Sequence, residues 1–418
     1  MRSPQEELAR VVYQAYADGA QLVDLSPVQR QKLIKSIAEV ALQQKDQVLE
    51  ANTLDLVASR EMAVPEVVLE WSKLTPERWH QVISFLEQLA ESPDPLDYNQ
   101  QESVRRVPLG TIAFVYEGFS QLALLAAAMC LKTANSVLIK GGTESSHTQL
   151  AIAKVLRSAL QRQGLSEHMV ATTPAGCGIK ELLSQDKYIR LLIPYGRPSF
   201  VQQLCKQATV SILPTAIANC YMYVAPSGNL ERARELILAS RQHQPDPITA
   251  IEKVVLHSHW LEQETGKTFV AWVRSLQNSG LEVRGCDVTK AHWRQYHGQT
   301  TAELESESNW GQAFLDHSLA IKIVDSTAEA ISWINQYSSG HADCVLTDSV
   351  SEAHQIISRL NSSTITFNNY YEFHRGGRGT AQVLLGMSSI KSRGAYCHTG
   401  VIDLNTFTAH KRIATYAL

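Results

Sequence analysis

The chain lacks the long apolar runs that mark membrane and secreted proteins. Its longest apolar run, Leu122 to Leu131, is too short to span a bilayer. The N-terminal residues carry early acids and no apolar segment of the kind found in signal peptides. The sequence therefore predicts a soluble cytoplasmic protein without membrane insertion.

An excess of one charge and paired cysteines are also missing. The chain has 38 Lys+Arg against 41 Asp+Glu, a formal net charge of -3, so no global basic surface predicts a nucleic-acid partner. The seven cysteines are scattered, odd in number and without a CxxC pair. This pattern predicts reduced thiols and neither a disulfide framework nor a metal site.

What is present is a regular alternation of strands and helices in a chain long enough for two or three lobes. Residues 4–90 have the apolar spacing of amphipathic helices, one of them over 28–42 with Ser26-Pro27 as its cap and first turn. Strands are predicted at 105–117, 136–140, 188–194, 221–224, 253–257, 319–324, 342–347 and 364–368. Helices are predicted at 121–133, 145–163, 199–208, 230–241 and 328–336. The alternation predicts an α/β fold with a parallel, doubly wound sheet.

Four stretches carry a family resemblance by their order and spacing. They are Ala51-Asn52 with Asp55-Leu56, Arg105-Arg-Val-Pro-Leu-Gly-Thr-Ile, Cys130-Leu-Lys-Thr-Ala-Asn-Ser-Val-Leu-Ile-Lys-Gly-Gly, and Ala320-Ile-Lys-Ile-Val-Asp-Ser. Together they resemble gamma-glutamyl phosphate reductase (glutamate-5-semialdehyde dehydrogenase), the proline-pathway family of the aldehyde dehydrogenase superfamily. The resemblance covers nearly the whole chain and implies an aldehyde dehydrogenase-like fold.

The resemblance also implies a division of the chain. A Rossmann-type cofactor lobe is expected over 1–238, interrupted by an arm at about 98–108. A catalytic-type α/β lobe is expected over 239–367, and residues 368–418 are expected to return to the first lobe. The C-terminal stretch is expected to pair with the arm across a dimer interface, which implies a homodimer or a higher homo-oligomer.

The nucleophile of the family is missing from this sequence. The family segment reads roughly Lys-Thr-Gln-Arg-Pro-Ser-x-Cys-Asn-x-Val-Glu, and its Cys forms the covalent intermediate. Matching Pro245 and Glu252 to that pattern places Ile248 at the Cys position. Isoleucine has no nucleophilic atom, so the resemblance predicts no catalytic residue here.

Other positions of the implied site are replaced as well. Gln121 stands where the family has the Asn expected to stabilise the oxyanion, and Phe119 replaces an Arg. Tyr195-Gly-Arg-Pro198 replaces Arg-Gly-Gly, a flexible cationic turn near the cofactor, with Pro198 expected to stiffen it. Glu372 replaces an Arg and Arg375 an Asp, in a Gly- and Ser-rich region that is either a surface loop or a remnant active-site wall.

Two residues are weak candidates for a substitute nucleophile. Thr249 carries a hydroxyl but no adjacent base except His243, which reads better as a surface imidazole. Cys177 precedes a predicted helix, whose dipole is expected to lower the thiol pKa. Cys220 is interpreted as a small core residue.

The cofactor positions are better preserved. Lys140, Gly141, Gly142 and Glu144 combine a strand end, a turn and a helix N-terminus, which can hold a 2′-phosphate or a ribose. With Gly196 they are the expected NADP contacts. The alternative is that the glycines only make the turn and that NADP binding is lost.

Three functions follow from these residues. The leading hypothesis is a non-catalytic family member acting as a binding, regulatory or structural subunit with a possible protein partner. The second is an active NADPH-dependent reductase of glutamyl 5-phosphate or another acyl phosphate with a displaced nucleophile. The third is a small-molecule sensor whose cleft is lined by four aromatic residues, Phe119, Tyr195, Tyr370 and Tyr371.

Overall fold

The computed structural model of the chain describes residues 3–97, 103–174, 176–242, 247–297, 302–303, 307–376, 382–389, 391 and 400–414. The α-helices are α1 Pro4–Gly19, α2 Pro27–Gln43, α3 Lys45–Glu61, α4 Glu66–Ser72, α5 Pro76–Glu91, α6 Ser120–Lys132, α7 Ser146–Arg162, α8 Ile179–Leu183, α9 Pro198–Gln207, α10 Leu230–Ala239, α11 His259–Glu262, α12 Lys267–Asn278, α13 Asp287–His297, α14 Thr327–Tyr337 and α15 Val350–Arg359. Among these described helices, none has both the length and the apolar character needed to cross a membrane.

The strands follow the predicted alternation closely. They are β1 Val104–Pro108, β2 Thr111–Tyr116, β3 Ser136–Gly141, β4 Val170–Thr172, β5 Ile189–Tyr195, β6 Cys220–Val224, β7 Ile251–His257, β8 Glu282–Gly285, β9 Ala302–Glu303, β10 Ser318–Val324, β11 Asp343–Leu346, β12 Ile365–Phe367, β13 Gly386–Ser388, β14 Gly400–Ile402 and β15 Thr408–Arg412. The α/β class is confirmed, and the short strands β4, β8, β9, β13 and β14 were not predicted.

The chain forms two compact units. The first comprises Met1–Thr215, His374–Gly386 and Gly394–Leu418, and the second Ala216–Phe373 and Met387–Arg393. The boundary expected from the sequence, residue 238, lies after β6 and within the last turn of α10. The packing boundary lies earlier because β6 pairs with β7 and β11, and because apolar residues of α10 pack in the same core as those of β7.

In the first unit, four parallel strands lie in the order β4-β3-β2-β5. The strands β2 and β3 are almost wholly buried, as expected for a parallel sheet covered on both faces. The helix α6 is also buried nearly all round, which explains its Ala- and Leu-rich sequence.

In the second unit, seven parallel strands lie in the order β12-β11-β6-β7-β10-β8-β9. One apolar core includes residues of α10, α12 and β10, and another includes residues of α14 and α15. Parallel sheets in both units confirm the doubly wound arrangement expected from the alternating pattern.

The arm and the C-terminal stretch pair with each other within this one chain. β1 and β15 form an antiparallel ribbon in which Val104 lies opposite Arg412 and Pro108 opposite Thr408. The pairing expected from the resemblance is therefore present as an intramolecular contact. Its expected place at a dimer interface stays a prediction.

Asp55 is a buried carboxylate that caps α7 from a distant part of the chain. Its side chain is 1% exposed. It accepts hydrogen bonds from the backbone N–H groups of His147 (2.9 Å) and Thr148 (2.7 Å), from the Thr148 hydroxyl (2.6 Å) and from the His147 ring (2.8 Å). The carboxylate thus satisfies the helix N-terminus and complements its dipole.

We expect Asp55→Ala to lower the free energy of unfolding by roughly 3 kcal/mol, because buried donors would lose a charged acceptor. Urea denaturation of both proteins measures the difference. The matched control is Glu50→Ala, an exposed position on the same helix α3. Equal effects of the two substitutions would show that the cap contributes nothing particular.

Candidate active site

The first part of the candidate site lies at the carboxyl edge of the four-stranded sheet. Tyr116 at the end of β2 is level with Gly141 at the end of β3 and with Tyr195 at the end of β5. The segments after these strands therefore start at one edge of the sheet. In open α/β sheets, this edge is where ligands bind.

An aromatic cluster occupies the positions where the resemblance implies arginines. The Phe119 ring stacks on Trp71 at 4.6 Å between centroids and meets Tyr195 edge-on at 5.5 Å. Phe119 and Tyr195 are both 0% exposed. The hypothesis that these two rings line an open cleft is wrong, because their faces are used in packing against neighbouring side chains of the same unit.

Arg375 contacts the same cluster. Its Nη2 donates a 2.7 Å hydrogen bond to the Tyr195 hydroxyl, and its Nε donates to the Leu385 carbonyl at 3.2 Å. The family pattern has Arg at position 195 and Asp at position 375. The two replacements found here therefore lie in direct contact. Where the family pattern allows an Arg–Asp ion pair, this chain has a hydrogen bond from the cationic Arg375 to the neutral hydroxyl of Tyr195.

The turn after β5 is closed by an ion pair. Arg197 binds both carboxylate oxygens of Glu117 through its side chain, at 2.8 and 2.6 Å. Gly196 has φ of +153°, and a Cβ there would come within 2.9 Å of the Glu117 Cβ, so only glycine fits without strain. Pro198 is the first residue of α9, so the Glu117–Arg197 pair fixes this turn together with the helix start.

Gln121, at the implied oxyanion position, is the second residue of α6. Its Oε1 is buried and has no hydrogen-bond partner among the described residues. The helix begins at Phe119, which has φ of +43° and provides no side-chain cap. Position 121 thus keeps a side-chain amide at a helix N-terminus, although no hydrogen bond to its Oε1 from a described residue fixes the orientation of that amide.

The turn after β3 brings its backbone close to neighbouring side chains. A Cβ on Gly141 would lie 2.8 Å from the Tyr116 ring, and a Cβ on Gly142 would lie 2.1 Å from a Glu144 carboxylate oxygen. Glu144 is 5% exposed, and its Oε1 accepts a 2.8 Å hydrogen bond from the Gly118 N–H. Burial raises the pKa of this carboxyl. The glycines therefore have a structural role, and Glu144 is turned into the fold.

The residues present fit NADP only in part. Lys140 is half-buried and makes no hydrogen bond or ion pair with the described residues, so its cation can meet a phosphate. The N-terminus of α7, the other expected anion site, is already occupied by the Asp55 carboxylate. Two N–H groups of this helix N-terminus are therefore already bound, and NADP binding at this turn stays a prediction.

Cys177 is not activated as the sequence predicted. It lies before Gly178, which is the N-cap of the five-residue helix α8, and its Sγ donates to the Pro4 carbonyl at 2.9 Å. Burial, Glu181 and Glu7 raise the pKa of the thiol, and Lys140 only partly opposes them. The expected lowering of the thiol pKa is wrong because burial, and after it the neighbouring carboxylates, raise that pKa.

A separate group of candidate residues lies within the second unit, just before β7. Ile248 is 1% exposed, so its side chain belongs to the core. Its carbonyl accepts hydrogen bonds from the Ala218 N–H at 3.0 Å and the His341 Nε2 at 2.7 Å. His243 and Pro245, which precede it, lie outside the described residues.

Cys220 approaches the same place but is kept as a thiol. Its Sγ lies 3.4 Å from the His341 Nε2. Because that nitrogen donates to Ile248, the neutral ring accepts at Nδ1 from the Ser339 hydroxyl, 2.9 Å away. Burial lowers the pKa of His341 and raises that of Cys220, so the imidazole does not take the thiol proton. Cys220 is buried, as its interpretation as a core residue requires.

Thr249 also lacks the partner a nucleophile needs. It is 8% exposed, and its hydroxyl makes no hydrogen bond to a base among the residues that the structure describes. Without a base, a hydroxyl remains protonated at neutral pH. The described residues contain no group of three or more His, Cys, Asp or Glu side chains that could hold a metal ion.

Glu252 and Lys253 form a buried ion pair that sequence analysis used only as an alignment point. Glu252 accepts from the backbone N–H groups of Phe314 and Leu315, both at 2.8 Å. The Lys253 Nζ lies 3.4 Å from the Glu252 carboxylate and the same distance from the centre of the Phe314 ring. The pair thus fixes the loop before β10 in the second unit.

Comparison with known proteins identifies the family. The aldehyde dehydrogenase family profile matches residues 1–288. Gamma-glutamyl phosphate reductase 2 of Synechocystis sp. is 37% identical over 399 residues, which cover 92% of this chain and 91% of that protein. The chain belongs to the gamma-glutamyl phosphate reductase family. The family member of Gloeobacter violaceus is 33% identical over 90% of both chains.

A solved structure supports the same assignment across the full length. The crystal structure of gamma-glutamyl phosphate reductase from Thermotoga maritima matches with a TM-score of 0.84 and 27% identity, covering 99% of each chain. A probable aldehyde dehydrogenase from Listeria monocytogenes, with a TM-score of 0.70 and 14% identity, shares the fold alone. The fold and family expected from the sequence are therefore confirmed.

Proposed function

We propose that this family member is non-catalytic and serves as a binding, regulatory or structural subunit. The proposal rests on the alignment of Pro245 and Glu252 with the family pattern, which places Ile248 at the position of the nucleophile, and the Ile248 side chain is aliphatic and buried. No thioester or thiohemiacetal forms on isoleucine. Without the cysteine sulfur, the covalent step on which the family reaction depends cannot take place.

The surroundings of Ile248 support the proposal because no neighbouring group replaces the thiolate. Cys220 is buried beside the His341 imidazole, whose Nε2–H already donates a hydrogen bond to the Ile248 carbonyl. The Thr249 hydroxyl makes no hydrogen bond to a base among the described residues, and burial raises the pKa of the Cys177 thiol. The aromatic pair Phe119 and Tyr195 further replaces cations that an acyl phosphate would need.

We further propose that the protein keeps a weakened NADP site at Lys140 and forms a homodimer or higher homo-oligomer through its arm. The half-buried, unpaired Lys140 cation supports the first point. The intact β1–β15 ribbon supports the second.

The alternative is an active NADPH-dependent reductase of glutamyl 5-phosphate or another acyl phosphate. The names of the relatives favour it, since proteins 37% and 33% identical over most of the chain are called gamma-glutamyl phosphate reductases. In that case a displaced nucleophile or direct hydride transfer would replace the missing thiol. Cys177 is the residue to test first.

A reverse-direction assay separates the two proposals. The full-length protein, Ile248→Cys and the Synechocystis relative would each be mixed with glutamate 5-semialdehyde, phosphate and NADP, and NADPH formation followed. We expect the unmodified protein to fall below an active relative by something on the order of 10⁶-fold, the scale seen when a hydrolase loses its nucleophile. Ile248→Cys alone is expected to stay inactive, because positions 119, 121 and 195 also differ.

The other outcomes have definite meanings. Turnover by the unmodified protein would overturn the non-catalytic proposal, and its loss in Cys177→Ser would identify the displaced nucleophile. Near-family rates for Ile248→Cys would show that only the nucleophile had been lost. Titration of the same proteins with NADPH, with Lys140→Met as the control, tests cofactor binding separately from activity.

A further inference from the structure

A cationic cavity lies beside the edge strand of the first unit, apart from the residues discussed above. β4 pairs with β3 and with no other described strand, so its outer edge is open to side chains from α1 and α7. The cavity between them has a volume of about 230 Å³. It is lined by Arg10 from α1, Arg157 from α7 and His168 from the turn before β4.

Arg157 is held in place for binding. Its Nε donates a 3.1 Å hydrogen bond to the Val170 carbonyl on the open edge of β4. Its two terminal nitrogens make no hydrogen bond to the residues that the structure describes. A guanidinium fixed through Nε presents the remaining N–H groups as a planar fork, a geometry that matches carboxylate and phosphate oxygens.

The charges of the cavity favour an anion. Arg10 donates to both carboxylate oxygens of Glu7, at 3.2 and 2.5 Å, and to the Gln14 Oε1 at 3.0 Å. Glu7 therefore offsets the Arg10 charge, and the Arg157 charge is the one that an anion meets. Arg157 has no carboxylate partner among the described residues, and His168 makes no side-chain hydrogen bond there. The two guanidinium groups against one lining carboxylate leave a net charge of +1 before any contribution from His168.

The size and apolar walls narrow the class of ligand. At about 30 Å³ for each water molecule, the cavity volume equals about eight waters, which is far too small for a whole dinucleotide. Val11, Val170 and Pro174 give it an apolar side. These dimensions suit a small metabolite with one anionic group and a short carbon skeleton.

We propose that this cavity is a second binding site, for a small carboxylate or phosphate metabolite, held mainly by Arg157 and Arg10. The anion lies against the Arg157 fork, and its carbon skeleton packs on Val11 and Pro174. The site does not depend on catalysis at position 248. The cavity lies beside β4, and β4 pairs with β3, the strand that carries Lys140. An anion bound in the cavity would therefore act on the strand next to the one with Lys140.

Calorimetric titration of the full-length protein with inorganic phosphate and, separately, with succinate tests the proposal against sodium chloride of equal ionic strength. We expect saturable binding of at least one probe, weakened about tenfold or more in Arg157→Gln and Arg10→Gln because a charge-assisted bond is lost. Arg10→Gln covers the case in which Arg157→Gln disturbs β4. Arg162→Gln, an exposed position on the same helix, is expected to bind as the unmodified protein does.

The results show whether the cavity prefers phosphate or a carboxylate, and whether the anion binds at Arg157 or at Lys140. Binding of phosphate alone or succinate alone supports the proposal and names the preferred head group. Equal binding by Arg157→Gln, Arg10→Gln and the unmodified protein overturns it, as does a response no larger than that to chloride. Loss of phosphate binding in Lys140→Met, with binding kept in Arg157→Gln, would place the anion in the dinucleotide site and also overturn it.

Discussion

Phe119→Ala is expected to lower the free energy of unfolding by about 3–5 kcal/mol, the range found when a buried Phe is truncated. The ring is wholly buried between Trp71 and Tyr195, and its loss would leave a cavity at the start of α6. Alanine does not relieve the positive φ at this position, so no gain in backbone energy offsets the lost packing. Urea denaturation followed by tryptophan fluorescence measures the change, since Trp71 is a direct neighbour.

Tyr13→Ala is the matched control, because Tyr13 is an aromatic residue of the same unit that is 51% exposed. A change of about 1 kcal/mol or less is expected there. Phe119→Arg, which restores the family residue alone, is expected to destabilise at least as much as Phe119→Ala, since it would bury a guanidinium against two aromatic rings. A stable Phe119→Arg protein would contradict the packing role of this cluster.

The sequence predicted the elements whose signals are local. Ser26, Pro27 and Gln29 lie within four consecutive residues, and the structure joins Ser26 and Gln29 in a reciprocal cap of α2. The apolar runs of β2, β3 and β5 likewise mark buried parallel strands wherever they lie in a fold. These patterns need no knowledge of the tertiary arrangement.

The features that the sequence did not predict depend on contacts between distant residues. Asp55 fills the N-terminus of α7 from 92 residues away, so N–H groups that looked open are already bound. Arg375 binds Tyr195 across 180 residues. The environment of Cys177 depends on Pro4 and Glu7 of α1, which a helix-dipole argument from the local sequence could not include.

In the candidate site, too, the features with a local sequence signal were predicted and those that depend on distant contacts were not. The predicted replacement of the nucleophile by Ile248 follows from alignment to a short pattern, in which only three residues separate Ile248 from the matched Glu252. That Cys220 and His341 meet beside the Ile248 carbonyl requires the folding of three separate segments onto one end of the sheet. Only the structure shows that this thiol stays protonated.

Glu252→Gln is expected to destabilise the protein by about 3–5 kcal/mol at neutral pH, because it leaves the Lys253 charge buried without its counter-ion. Lys253 is 0% exposed, and the amide that replaces the carboxylate would also present N–H groups to backbone donors near Phe314 and Leu315. Glu235→Gln removes an exposed partner of Arg232 in the same unit and is expected to cost less than about 1 kcal/mol. Double substitution with Lys253→Met is expected to recover part of the loss, since it removes the unpaired charge.

The pH dependence of this loss has a definite sign. Burial lowers the pKa of Lys253 from 10.5 to about 8, against the raising effect of Glu252. Between those two pKa values the unfolded chain binds more protons than the folded protein, so this group makes stability rise with pH there. Without Glu252 the folded pKa falls further, so Lys253 is neutral in both folded proteins above about pH 8. Denaturation at pH 7 and near pH 9.5 is therefore expected to show a smaller effect of Glu252→Gln at the higher pH, and a difference that grows with pH would contradict the assignment of the buried charge to Lys253.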